Sequence, residues 1–481
     1  MTEPTPHQTP HQTPDQNDTD VLYGAQTRLA MANFGISGWR FPRPFLRAIG
    51  LVKACAAQVN GALGLLPTDL SQAIEEAAQG VADGRYDDQF PVDVLQTGSG
   101  TSTNMNANEV IATLAERRLG RPVHPNDDVN RGQSSNDVIP TVIHVAAAQE
   151  LQGLTGALGS LRDAIDVRAR EYATVVKTAR THLMDAVPMT LGQELSGWAA
   201  QVEADLARLA DTQRRLLVIA QGGTAVGTGL NTAPAFAERF AAALAERTGL
   251  GFRAAPNAFA AIGAQDTAVE LSGQLRVIAV TLLKIVTDLR WMNSGPIAGL
   301  GEIRLPELQP GSSIMPGKVN PVVPEAVGMA CVQVVGLDAA VALAAQDNRF
   351  QLATMLPLIA FDLLQQLALL TAAAGSLETQ AIARFQANTA ALGERARRNL
   401  MLVTALTPRI GYDLASRIAR TALAEGRTVI DVAREQSGLP ETELADLLDP
   451  ARTACPHDTD AIDGARAKSA RNAREPRGGG I

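Results

Sequence analysis

The sequence predicts an all-α protein built around a central bundle of long helices. Three observations lead there. Leu195, Trp198, Val202, Leu206 and Leu209 step by three or four residues and so share one helix face. Ile359, Leu363, Leu367 and Leu370 form a second such stripe, and between residues 269 and 289 apolar side chains occupy nearly every face, as in a helix buried inside a bundle. Alternating strand patterns are scarce along the whole chain.

Taken in order, residues 1–20 carry a repeated Pro-His-Gln-Thr without helix or strand period and read as a disordered tail, its His7 and His11 solvated rather than metal-binding. Residues 21–133 read as an N-terminal domain of short helices mixed with loops at 96–108 and 121–133. Residues 134–393 read as the long-helix bundle. Within it, Ser134, Ser135, Asn136 and Asp137 cap a helix running on from Val138, with Pro140 in its first turn. Thr190 and Gln193 form a capping box. Asn320-Pro321 or Val323-Pro324 opens a further helix with Glu325 in its first turn. Residues 394–455 read as a small helical module, with segments at 412–424 and 429–435, and 456–481 as a second disordered tail.

Composition excludes several classes of function. Of the 481 residues, 46% are hydrophobic and 19% charged, a globular balance. Lys and Arg number 42 against 50 Asp and Glu, so a net charge of −8 repels a phosphate backbone, and 4% aromatics leave few faces for stacking bases. Nucleic acid is not an expected partner. Cys55, Cys331 and Cys455 are far apart, with no CxxC, which points to a reducing compartment, the cytoplasm. The first 20 residues contain neither Lys, Arg nor an apolar core, so no targeting peptide is expected. The longest uncharged run, residues 216–237, is broken by Gly and Pro, so no membrane span is expected either.

Three segments dense in hydroxyls and amides stand out. The first contains Ser99, Gly100 and Thr101 and continues at Ser134, Ser135 and Asn136; the second is centred on Thr181 and His182; the third runs from Gly311 through Ser312, Ser313, Lys318 and Val319 to Asn320. Each precedes a helix, and helix N-termini present free N–H groups and partial positive charge that suit carboxylates. A Ser/Thr/Asn-rich helix start is usually only a cap; three such clusters in one acidic chain point to a small anion. Residues 311–318 are not a phosphate loop, because the Gly to Gly-Lys spacing is one too long and Val319 replaces the magnesium-binding hydroxyl. The glycines at 222–229 lack the preceding strand of a dinucleotide site. His144, on a helix, reads as structural. No His, Cys, Asp or Glu pair has metal-ligand spacing, so no metal is expected.

Residues 97–109, 124–137, 180–197, 222–231 and 311–325 resemble the signature blocks of the fumarase/aspartase superfamily, the last being highly specific for it. Within the superfamily they are most similar to class II fumarases: His182 stands where aspartases carry Gln, and Ser134, Ser135 and His124 are fumarase-like. The resemblance runs from about residue 21 to about residue 450. It implies a three-domain all-α fold, a homotetramer with a twenty-helix core, active sites shared between subunits, and hydration of the dicarboxylate fumarate to L-malate without metal or organic cofactor. It also implies roles. Ser312 removes the C3 proton, and His182, oriented by Glu325, is the acid/base. Lys318, Val319 and Asn320, with Ser99, Gly100, Thr101, Ser134, Ser135, Asn136, Thr181 and Ser313, bind the carboxylates. His124, Pro125, Asn126 and Asp127 resemble a second dicarboxylate site. The chain departs from the family at Arg131-Gly132, Gln351, Ala353 and Thr407, none of them a carried-over catalytic position. Rival readings are an aspartase releasing ammonia and a non-catalytic structural protein of the same fold, as in lens crystallins.

Overall fold

A computed structural model of the chain describes residues 20–455. The two expected terminal tails lie outside the described residues, apart from Asp20. The helices of interest are α1 (Ala25–Asn33), α2 (Arg43–Ala62), α3 (Thr68–Ala82), α4 (Thr101–Leu119), α5 (Ser135–Glu171), α6 (Leu191–Leu216), α7 (Phe236–Thr248), α8 (Ala258–Gly263), α9 (Asp266–Asn293), α10 (Val322–Ala345) and α11 (Leu356–Leu377). A two-stranded antiparallel hairpin, β1 (Val176–Thr181) and β2 (Met184–Thr190), separates α5 from α6.

The chain divides into two compact units, one of Met1–Leu151, Asp211–Gly273 and Leu337–Leu367, the other of Gln152–Ala210, Gln274–Gly336 and Ala368–Ile481. Every dividing point falls inside one of the five long helices, α5, α6, α9, α10 or α11. The stripes read from the sequence are core: Leu195, Trp198, Val202 and Leu209 on α6, and Ile359, Leu363, Leu367 and Leu370 on α11, are all buried. Between residues 269 and 289 of α9, expected to be buried all round, Val280 is exposed.

In the first unit α2 packs on α3 so closely that a Cβ on Gly50 would lie 2.5 Å from the Ala82 nitrogen. Glu109 of α4 closes the start of α1: its carboxylate accepts hydrogen bonds from the backbone N–H groups of Gly24 (2.9 Å), Gln26 (2.8 Å) and Thr27 (3.1 Å) and from the Thr27 hydroxyl (2.6 Å). A carboxylate at a helix N-terminus satisfies both free donors and dipole.

In the second unit the hairpin leads into α6 through the capping box, with Thr190 Oγ1 accepting from Gln193 N–H at 3.0 Å and Gln193 Oε1 from Thr190 N–H at 2.9 Å. Residues 402–448 form their own apolar cluster around Leu406, Ile418, Val432 and Leu444.

Three local expectations are corrected. The amide-rich segment 101–108, expected as loop, forms the first turns of α4, because Gln96 Oε1 caps Thr103 N–H (2.9 Å) and Asn104 and Asn106 find distant partners that offset their poor propensity. Helix α5 starts at Ser135, not Val138, so Pro140 sits beyond the first turn. Two helices, Val322–Ala345 and Leu356–Ile382, are by length and composition apolar enough to cross a membrane; Glu325 and Asp338 in one and Asp362 and Glu378 in the other hid them from a search for uncharged runs. The most apolar window of the second is mostly buried in protein, whereas only 33% of the corresponding window of α10 is.

Gly192, the second residue of α6, touches the end of α5: an added Cβ would lie 2.5 Å from Ala169 O and 2.7 Å from Ala173 Cα. Gly192→Ala is therefore expected to cost about 1–3 kcal/mol by overpacking. Denaturant titration should show a lower midpoint; an unchanged midpoint would contradict this close approach.

Candidate active site

The first polar segment lies wholly in the first unit, and the fold brings its two halves together. Gly100 has φ +70° and packs against Ile139, to which an added Cβ would come within 3.0 Å. Ser99 and Thr101 share a hydrogen bond between hydroxyls at 2.8 Å, and Asn104 Nδ2 donates to Ser135 Oγ at 3.0 Å. Ser134 Oγ accepts from Asn136 N–H (3.2 Å), while Asn136 Nδ2 donates to Ala225 O (2.8 Å).

Two buried charges support this arrangement: Asp137, read from the sequence only as part of a helix cap, and Lys53, which sequence reasoning missed. Asp137 Oδ1 accepts from Ser134 N–H (2.9 Å), and its Oδ2 from the N–H groups of Gly222 (3.0 Å) and Thr224 (2.8 Å) and from Gln221 Nε2 (3.2 Å). Burial pushes its carboxyl up to about 6 against the pull of those N–H groups. Lys53, fully buried on α2, donates to Asn130 Oδ1 (2.8 Å) and Gln133 Oε1 (3.0 Å). Burial lowers its amine to about 7, opposed by the charge of Asp137. A lysine in an apolar helix gives no sequence sign that its partners are 77 and 80 residues away.

His124 begins a short turn, Pro125–Val129, and its Nδ1 lies 3.0 Å from the Asp127 backbone nitrogen and 3.3 Å from Asp127 Oδ2. His144, read from the sequence as structural, is half-buried with Nδ1 2.7 Å from Val218 O, and burial lowers its pKa.

The other two polar segments belong to the second unit. Thr181 and His182 stand at the tip of the β1–β2 hairpin, a strand pair that the sequence did not suggest. Thr181 pairs with Met184, so His182 and Leu183 form a two-residue turn, both in the left-handed region (φ +57° and +61°). Such turns ordinarily use Asn-Gly. The tip is exposed, Leu183 and Met184 being 67% and 70% accessible. Behind it lies a buried ion cluster: Glu302 accepts from Lys177 Nζ (2.8 Å) and Arg180 Nη2 (2.5 Å), and Lys177 also reaches Glu194 (2.6 Å).

Residues 311–320 form a closed loop. Gly311 N–H donates to Lys318 O (2.9 Å) and Asn320 Nδ2 to Gly311 O (2.7 Å). A Cβ at 311 would lie 2.1 Å from Lys318 O, so only glycine fits. Ser312 Oγ accepts from the backbone N–H groups of Ile314 (3.3 Å) and Met315 (3.1 Å). Two N–H donors on one hydroxyl oxygen are what an alkoxide requires. Ser313, Lys318 and Val319 are exposed on this loop. Glu325, in the first turn of α10 as expected, is exposed and lines a cavity of about 510 Å³ with Arg290, Trp291 and Val319; Lys318 and Val319 line another of about 1100 Å³ with Arg304, Glu307 and Arg384. Among the described residues no hydrogen bond or ion pair joins His182 to Ser312 or Glu325, and no group of three His, Cys, Asp or Glu is placed to hold a metal.

Asp137→Ala would leave three backbone N–H groups unpaired and the Lys53 ammonium without its counter-charge. The expected loss of stability is about 2–5 kcal/mol from the buried donors left unmatched, readable as a lower urea midpoint. A change below about 1 kcal/mol would show that Asp137 does not support the 134–136 segment.

The chain matches the family model described as Lyase over residues 15–336 and that described as Fumarase C C-terminus over residues 402–453. It is 54% identical over 433 residues to the class II fumarate hydratase of Xylella fastidiosa (strain Temecula1), covering 90% of this chain and 92% of that one. It is 54% identical over 432 residues to class II fumarate hydratase 2 of Pseudomonas aeruginosa, covering 90% and 94%. Among solved structures, class II fumarase from Schistosoma mansoni superposes with a TM-score of 0.89 at 36% identity over 92% of this chain and 97% of that one. A fumarate lyase:delta crystallin from Brucella melitensis bound to cobalt gives 0.87 at 44% identity over 91% and 96%. The chain belongs to the class II fumarate hydratases of the fumarase/aspartase superfamily.

Proposed function

We propose that this protein catalyses the reversible hydration of fumarate to L-malate, with Ser312 and the His182–Glu325 pair as its proton-transfer groups. The observation that carries the assignment is the loop at 311–320, where a serine oxygen accepts two backbone N–H donors in a chain 54% identical to class II fumarate hydratases. An unassisted serine is a poor base; one whose alkoxide is held by two donors is not. In the dehydration direction Ser312 Oγ takes the C3 proton of malate, the C2–O bond breaks, and His182 delivers a proton so that water leaves. Glu325 orients His182. The doubly charged enediolate between these steps needs donors fixed in advance. Lys318, Val319 and Asn320, with Ser99, Gly100, Thr101, Ser134, Ser135, Asn136, Thr181 and Ser313, supply them. His124 to Asp127 forms a second dicarboxylate site at its exposed turn.

The same reading includes a homotetramer. Five long helices per chain account for a twenty-helix core, and α10 carries an exposed apolar face, with Met329 at 70%, Val332 at 62% and Leu343 at 66% accessibility. A face of that kind in water fits a subunit contact. Assembly would also bring together His182, Ser312 and Glu325, which one chain leaves unconnected. The reading keeps three domains with boundaries near 133 and 393, supported at the C-terminal end by the separate apolar cluster at 402–448. It places the enzyme in the cytoplasm, consistent with three free cysteines, of which Cys55 and Cys331 are buried.

The test follows fumarate absorbance with malate, then with aspartate, as substrate. Signal with malate alone is the expected result; signal with aspartate alone makes the protein an ammonia lyase, and signal with neither makes it structural. Ser312→Ala and His182→Asn should each lower turnover by about 10²–10⁴-fold with assembly intact. Near-normal turnover in either variant removes the role given to that residue.

A further inference from the structure

The turn that presents His182 is not specified by its own sequence. His182 and Leu183 both occupy the left-handed region without being glycine, a conformation that costs of order 1–3 kcal/mol per residue unless its surroundings impose it. The β1–β2 register is itself irregular between Thr178 and Arg180. Something outside the hairpin therefore holds β1 in place.

Glu302 contacts β1 from outside the hairpin. It arrives from a segment more than 100 residues later and is fixed in its own backbone, donating N–H to Met292 O (2.8 Å) and accepting from Asn388 N–H (2.8 Å). One carboxylate oxygen takes Lys177 Nζ at 2.8 Å and the other takes Arg180 Nη2 at 2.5 Å, so the two oxygens bridge two β1 side chains three positions apart. Lys177 and Glu302 side chains are each 1% accessible. From the β2 side, Asn399 Nδ2 donates to Ala186 O at 2.7 Å. Burial alone would push the Glu302 carboxyl up, but Arg180 and Lys177 hold it below the ordinary value. A buried ion cluster of this kind adds little stability over an apolar core of the same shape, because desolvation offsets the Coulomb gain. What it does supply is direction: each charge-assisted hydrogen bond fixes a side chain, and with it a strand position.

We propose that Glu302 is a positioning residue for the acid/base histidine: by gripping Arg180 and Lys177 it sets the strand position two residues before the turn, and so where His182 stands. This inference rests on the acid/base role given to His182 above. Glu302 touches no reacting atom and acts only through the hairpin.

The experiment uses the assembled full-length enzyme, with assembly checked by light scattering. Glu302→Gln keeps the side-chain shape but loses the charge that holds both cations. A misplacement of about 1 Å costs on the order of 10²-fold in rate. The expected result is a kcat lowered by about 10- to 100-fold, with a smaller rise in KM from Thr181 on the same strand end. In a His182→Asn background, adding Glu302→Gln should cause no further loss, since there is no longer a histidine to position. A wild-type kcat in assembled Glu302→Gln, or a full further loss in the double variant, overturns the inference. Arg180→Gln, on a side chain that reaches solvent, carries the same expectations where Glu302→Gln does not assemble. A dead His182→Asn beside a fully active Glu302→Gln overturns this inference alone. A fully active His182→Asn overturns the role of His182 itself, and this inference with it.

Discussion

A single chain of this protein cannot bury its own most apolar helix. Only a third of the most apolar window of α10 is covered within the chain, and large side chains such as Met329 and Leu343 stand in solvent. Leaving such a face exposed forfeits about 25 cal/mol for each Å² that a partner would cover. The first turn of the same helix carries Glu325, and the loop before it carries Ser312, Lys318 and Asn320. On the reading proposed here, burying α10 against other copies and completing the active site are one event. An isolated chain would have both an uncovered apolar face and an unfinished site.

Charge inside the protein is used for placement. Glu109 closes a helix start, Asp137 collects three backbone N–H groups around the 134–136 segment, and Glu302 joins two cations on one strand. Each of these three carboxylates is surrounded by donors, which offsets the cost of burying its charge. The same logic reconciles an overall charge of −8 with a dianionic substrate. On the proposed reading, recognition needs only a few N–H groups, hydroxyls and Lys318 gathered locally, and bulk charge has little part in it.

Much of the fold was legible because long helices repeat a strong signal. The α6 and α11 stripes recur over several turns, and the Thr190–Gln193 box marks a helix start within four residues. The hairpin was not legible. Its turn is His-Leu in place of Asn-Gly, and its irregular register breaks the two-residue alternation that would mark a strand. Segment 101–108 read as loop because amide side chains are weak helix formers, and their compensating partners lie far away in sequence. The dense hydroxyls and amides marked the 311–320 loop as a candidate site, but its closure through Lys318 O and the two donors on Ser312 are visible only in the fold. Lys53 and Glu302 could not have been found at all. A charged residue in a sequence looks solvated until its partners, here 77 and 125 residues away, are seen around it.

On the proposed reading, catalytic residues from separate copies meet in one site. Subunit mixing tests it most directly. Ser312→Ala and His182→Asn proteins, each inactive alone, are unfolded together, refolded as mixed assemblies and assayed for fumarate hydration. If the two residues come from different subunits, some sites in a mixed assembly receive both wild-type groups, and a substantial fraction of activity returns. If each site is built within one chain, no mixed assembly contains an intact site, and the mixture stays as inactive as its parents.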